Sequence, residues 1–235
     1  MPYPNRETFQ SFLDDLLGMR FDYLEIGIPT EKPYYDGPVI RRTHRKAMEG
    51  FSFQYLKEVV HISRSKGKKN YALVYYNHFH ENVDGFLDKI MDSGLEGAIV
   101  PDLLTDYYDE REYLSEEFRK RNISLIPFFT SSTPDKVITE MLGLTDGWIY
   151  HGLQPSTGIR VPVSIDKMVS RIKSLCGNRE IIFGFGINSA ETISELKRYG
   201  ADGIAVGSSL VPYMESNDHE GFSREVRMLQ DGVYD

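Results

Sequence analysis

Phe183-Gly184-Phe185-Gly186-Ile187-Asn188, and after it Gly203-Ile204-Ala205-Val206-Gly207-Ser208-Ser209, are the stretches on which the fold turns. Each is a short apolar run closed by a glycine turn, and neither holds a basic residue. Glycine lets backbone approach a ligand closely, and the N–H groups at a helix start carry partial positive charge, so the pair can cradle a phosphate without Lys or Arg. Two such turns after consecutive late strands match the recurring phosphate site of (βα)8 barrels. Glycines needed only for tight strand–helix packing would leave the same letters.

Five further apolar runs lie upstream: Tyr23–Ile28, Tyr71–Tyr76, Gly97–Val100, Ser124–Phe128 and Trp148–Tyr150; Ile181–Phe183 and Gly203–Val206 bring the total to seven. Most lack polar alternation, as strands buried on both faces of a parallel sheet do. Helical spacing fills the gaps. Phe9, Phe12, Leu13, Leu16 and Leu17 form one stripe of a first helix that Gly18 ends. Thr133-Pro134-Asp135 reads as an N-cap, a first-turn proline and an acid at the positive dipole end, and Asn188 with Glu191 has capping-box spacing, with Gly200 as the stop. The order is a helix followed by repeated β-α units. Such alternation gives an open doubly wound sheet or a closed (βα)8 barrel. No glycine fingerprint follows the first strand, and the glycine turns come late, which favours an α/β TIM barrel.

The 235 residues carry 27 Lys and Arg against 35 Asp and Glu, a formal net charge of −8, with 40% apolar residues and one cysteine. These values suit one soluble domain over 1–235 and exclude collagen-like, disordered and disulfide-stapled classes. Cys176 alone can form no internal disulfide, and no apolar run approaches the roughly 20 residues that a membrane span needs. A cytoplasmic protein is expected, with no membrane association. Net negative charge without a basic stripe argues against nucleic acid, which leaves a small molecule as the expected ligand.

Two carboxyl groups are the candidate chemistry. In Tyr23-Leu24-Glu25-Ile26-Gly27-Ile28 the period of two puts Glu25 on the face opposite Leu24, Ile26 and Ile28. Glu25 is therefore expected to point into the barrel interior, where partial desolvation raises a carboxyl pKa. Asp36, in Tyr35-Asp36-Gly37-Pro38, falls on the loop leaving that strand, expected to be mobile. Carboxyl groups in two environments can divide acid and base roles, although Asp-Gly-Pro alone is an ordinary turn and a buried Glu is often only a structural pair. The six histidines show no metal-ligand spacing, Cys176 reads as a packing residue, and the charged run Asp106 to Arg121 as a solvated helix face.

Glu25-Ile26-Gly27-Ile28-Pro29, Asp36-Gly37-Pro38, Val100-Pro101-Asp102-Leu103, Gly184-Phe185-Gly186-Ile187 and Gly200-Ala201-Asp202-Gly203 to Gly207-Ser208, in order and with compatible spacing from about Tyr3 to Tyr213, resemble the tryptophan synthase α chain family. The resemblance implies a (βα)8 barrel that cleaves indole-3-glycerol phosphate into indole and glyceraldehyde 3-phosphate without metal or organic cofactor. It implies Glu25 and Asp36 as catalytic residues. Gly158, Gly186, Gly207 and Ser208 would hold the phosphate, Thr157 would orient the aspartate, and Tyr75, Asp102, Tyr150 and Phe185 would line or support the indole pocket. The implied partner is a pyridoxal-phosphate-dependent β chain in an αββα complex. Three departures stand out: the first barrel strand is lacking, Lys32 stands where the family usually has an aspartate, and the loop Gly152 to Ser156 is about one residue short and lacks the usual arginine. A catalytically weak α-type subunit that binds phosphate ligands and regulates a β chain is one alternative. Another phosphate-binding barrel enzyme, such as a sugar-phosphate isomerase, is a second, but it leaves the Glu25-to-Asp36 spacing unexplained.

Overall fold

The computed structural model describes residues 1–154, 164–187 and 189–234. They fall into two compact units, one of residues 1–34, 41–126 and 144–146, the other of residues 35–40, 127–143 and those from 147 onward.

In the first unit α1 (Arg6–Leu17) is capped by Asn5, whose side chain accepts the Thr8 N–H at 2.9 Å, and it buries the stripe Phe12, Leu13 and Leu17. A parallel sheet follows, β1 (Tyr23–Gly27), β2 (Lys69–Leu73), β3 (Gly97–Ile99) and β4 (Ser124–Ile126), in spatial order β1-β2-β3-β4. Parallel neighbours need crossovers, and α2 (Pro38–Ala47, its first three residues apart), α3 (Phe53–Ser65), α4 (Val83–Asp92), α5 (Leu103–Asp106) and α6 (Arg111–Lys120) supply them. Leu56 and Val59 from α3, Leu87 and Ile90 from α4 and Leu114 and Phe118 from α6 are buried, as are Ile28, Ala72, Ala98 and Ile99 from the strands and their exits. Each large side chain so buried contributes about 1.5–3 kcal/mol of transfer free energy.

The second unit repeats the plan with β5 (Phe128–Thr130), α7 (Asp135–Leu144, its last residue apart), β6 (Ile149–Gly152), α8 (Ile165–Cys176), β7 (Ile181–Gly184), α9 (Ala190–Arg198), β8 (Gly203–Ile204), α10 (Val211–Ser216) and α11 (His219–Tyr234). Its sheet is also parallel, in the order β5-β6-β7-β8. Ile138, Ile149, Val169, Ile172, Ile181, Phe183, Ile193 and Leu196 are its buried centre.

All seven apolar runs contain strand. The run Ser124–Phe128 is divided at Pro127, which has no N–H to donate to a ladder although its carbonyl accepts the Tyr150 N–H at 3.0 Å. Among the described residues no strand precedes β1. Two expected caps differ. Thr133 turns its hydroxyl back to the Thr130 N–H at 2.9 Å, and the first carbonyl of the helical ladder belongs to Pro134. Ser189 caps α9 by accepting from Thr192 N–H, while Asn188 lies outside the described residues. Gly200, at φ +99°, follows the end of α9 as expected. No helix among the described residues is long and apolar enough to cross a membrane.

Candidate functional site

The first unit carries Glu25, Tyr75 and Asp102. Ile26 and Ile28 are buried, and Glu25 lies on the opposite face of β1, as the period requires. Its side chain is nevertheless exposed, so the expected desolvation is not found. The period of two sets the face from which Glu25 projects, not how much chain covers that face; along β1 its register partner is Tyr71 on β2.

Asp102, fully buried just beyond β3, shows what a supporting carboxyl does here. Leu73 and Ile99 are register partners, so Tyr76 and Asp102 both stand three residues past the same rung. The Asp102 carboxylate accepts the N–H of Tyr76 at 2.6 Å and of Asn77 at 3.0 Å, fixing the turn after β2. Burial raises its pKa, opposed by these backbone donors. Tyr75, at the start of that turn, is completely buried, with the His44 ring edge-on at 6.3 Å. Burial also pushes the Tyr76 hydroxyl up to about 12, helped by the Glu110 charge. The Asn77 side-chain amide donates to the Lys32 carbonyl at 3.1 Å, which ties the turn after β2 to the loop after β1.

The second unit carries Asp36, Tyr150, Phe185, Gly186, Gly207 and Ser208. Asp36 sits in a turn directly before α2 and is only 3% exposed, so its carboxyl is buried. Tyr150 on β6 and Phe185 after β7 meet at 5.9 Å between ring centroids. Phe128 on β5 joins both, at 5.5 Å and 5.1 Å, and all three rings are buried. A Cβ on Gly184 would overlap the Tyr150 hydroxyl, so glycine there makes room for the ring. Phe185 itself has φ +58° and Gly186 φ +87°; for a phenylalanine this is a strained conformation, of the kind that clusters at functional sites. Phe183 and Ile204 are register partners, which puts Gly186 and Gly207 each three residues beyond one rung, at the C-terminal ends of adjacent parallel strands. A Cβ on Gly207 would meet nothing within 4 Å.

Thr157 and Gly158 lie outside the described residues. Sequence reasoning missed Phe128, whose only signal was its place at the end of a predicted strand. It also missed Ser209, beside Ser208, whose buried hydroxyl has no partner among the described residues. Among those residues no group of three or more His, Cys, Asp and Glu could hold a metal ion.

The family model described as tryptophan synthase alpha chain matches residues 1–232. The tryptophan synthase alpha chain of Sulfurisphaera tokodaii is 31% identical over 233 residues, covering 99% of this chain and 94% of its own length. That of Saccharolobus solfataricus is 33% identical over 215 residues, covering 92% and 86%. The crystal structure of the tryptophan synthase complex from Pyrococcus furiosus aligns at a TM-score of 0.83 with 26% identity, covering 97% of this chain and 93% of that one. With the β-α alternation above, these likenesses give the chain an α/β fold of the TIM-barrel class.

Proposed function

The chain belongs to the tryptophan synthase α chain family, and we propose that Glu25 and Asp36 carry that family's reaction here, the retro-aldol cleavage of indole-3-glycerol phosphate in tryptophan biosynthesis. Glu25 takes the proton of the glycerol hydroxyl next to the ring and delivers one to indole C3. The bond between C3 and that carbon breaks, its electron pair neutralises the protonated ring, and the hydroxyl carbon leaves as the aldehyde of glyceraldehyde 3-phosphate. Protonation at C3 makes the ring nitrogen electron-poor, and the Asp36 carboxylate faces that developing charge. Burial supports this role, because a carboxylate withdrawn from water acts on a nearby charge at lower effective dielectric. The exposure of Glu25 suits a group that must exchange its proton between turnovers.

The observation that carries the reading is the spacing from Glu25 to Asp36-Gly37-Pro38 inside a chain matched over its length. The rings of Tyr150, Phe185 and Phe128 give a flat apolar product a wall to pack on, with Tyr75 and Asp102 as support. Gly186, Gly207, Ser208 and Gly158 bind the phosphate, with Ser209 as a further hydroxyl donor, and Thr157 orients Asp36. The chemistry needs no cofactor in this chain. Residues 1–235 act as one barrel domain in the cytoplasm, paired with a pyridoxal-phosphate-dependent β chain in an αββα complex.

Glu25→Gln or Asp36→Asn should lower indole release by about 10²–10⁴-fold with unchanged circular dichroism, since each amide keeps the shape and loses the charge. Turnover at the parent rate would exclude the assigned role. Lys32, in place of an acid, favours one second reading: a subunit that binds phosphate ligands but turns over poorly and regulates a β chain. Indole release that stays low alone and with a β chain present would select it.

A further inference from the structure

We propose that His44 is a positioning residue for the loop that carries Asp36; the inference rests on the assignment of Asp36 above. His44 lies in the last turn of α2, and both it and Thr30, just past β1, are buried, at 6% and 2% exposure. The Thr30 backbone N–H donates to His44 Nδ1 at 3.1 Å, across 14 residues of chain. That bond closes the segment 30–44 at its base, with Asp36 near the middle. A second bond closes it closer in, from the Arg41 guanidinium to the Tyr34 carbonyl at 2.6 Å. The Thr30 hydroxyl accepts the Lys32 N–H at 3.3 Å, and the Lys32 carbonyl in turn accepts from Asn77. The outgoing limb of the loop is thus held from α2 on one side and from the turn after β2 on the other.

The chemistry of the bond makes His44 specific rather than generic filling. Nδ1 must be the unprotonated nitrogen, because it accepts, so the ring proton is on Nε2. A buried N–H that loses its acceptor does not stay in place without penalty. Release of Thr30 loosens the first residues of the loop, and a catalytic carboxylate displaced by about 1 Å can lose up to 10²-fold in rate.

Asparagine and glutamine separate the acceptor from the volume. The Asn Oδ1 falls near the place of Nδ1, whereas the Gln carbonyl reaches toward Nε2. Indole release is measured on the full chain for His44→Asn, His44→Gln, His44→Ala and Asp36→Asn, with exchange protection of the Thr30 amide as a second readout. We expect His44→Gln and His44→Ala to lower kcat about ten- to hundredfold, to change KM less than about threefold and to lose Thr30 protection. His44→Asn should keep both kcat and protection. Parent-like kcat in His44→Ala while Asp36→Asn is inactive overturns this inference alone. Equal losses in the Asn and Gln variants also overturn it, since they mark a role in packing only. Parent-like kcat in Asp36→Asn overturns the assignment of Asp36 and this inference with it.

Discussion

Asp102 shows how one buried side chain sets a turn. Its two oxygens satisfy two consecutive backbone donors, Tyr76 and Asn77, and a carboxylate is the only side chain of that size with two acceptors and no donor. Asp102→Asn would keep one acceptor and present an NH2 group to the other amide. We expect a loss of about 1–3 kcal/mol in urea unfolding, with a larger loss for Asp102→Ala, where both amides go unmet. Equal stability of the parent and Asp102→Asn would show that the turn is held by something else. By resemblance, the motif Val100-Pro101-Asp102-Leu103 implies a pocket-supporting role for Asp102. What it could not contain was the partner, because Tyr76 and Asn77 lie about 25 residues away and meet Asp102 only through the β2–β3 register.

At the scale of elements, α4 and α6 are joined by a side chain that follows α6. The Arg121 guanidinium reaches Asp88 at 2.7 Å and Asp84 at 2.8 Å on α4, and Glu117 at 2.8 Å on α6. Glu117 also pairs with Lys120 at 2.6 Å, and hydrogen bonds from Lys120 and Arg121 hold its pKa down at about 2. The run Asp106 to Arg121, read from the sequence as a solvated face, is therefore partly an ion-pair network between helices. Periodicity identifies such a face but not which helix meets it. Arg121→Met should lower Tm by about 3–10 °C, because Asp84, Asp88 and Glu117 then lose the cation they share and Lys120 answers only Glu117. Raising salt to about 1 M should recover part of that loss by screening their repulsion. A variant with the parent's Tm would mean that the network is only decorative. Because Glu117 has a lowered folded pKa, its contribution is present above its ordinary pKa of 4.5 and fades as pH falls toward about 2.

For the molecule as a whole, acid sensitivity has an identifiable source. His151 on β6 is fully buried, with the Phe183 ring 5.3 Å away, and burial followed by the Arg171 charge lowers its pKa from 6.5 to about 4. Between those values the unfolded chain takes up a proton that the folded chain refuses. Stability should therefore fall as pH drops from about 6.5 to about 4, at up to about 1.4 kcal/mol per pH unit, and this contribution should level off below. His151→Phe removes the titrating group while keeping a ring in place. Urea midpoints measured from pH 7.5 to 4.5 should show a shallower decline for the variant, and parallel declines would assign the acid sensitivity to other groups.

The sequence by itself determined the order of strands and helices, the parallel class of the sheets and the family. These are set by local periodicity, by glycine turns and by short motifs, all of which are contiguous in the chain. It also placed Glu25 opposite Ile26 on β1 and singled out Tyr150 and Phe185, whose rings lie 5.9 Å apart. Only the tertiary structure decided that Glu25 is open to water, that Asp36 is buried, that Phe128 completes the aromatic trio and that His44 holds Thr30. Solvent exposure and hydrogen-bond partners depend on which distant segments pack alongside, and a period of two or 3.6 says which way a side chain points without saying what it meets there.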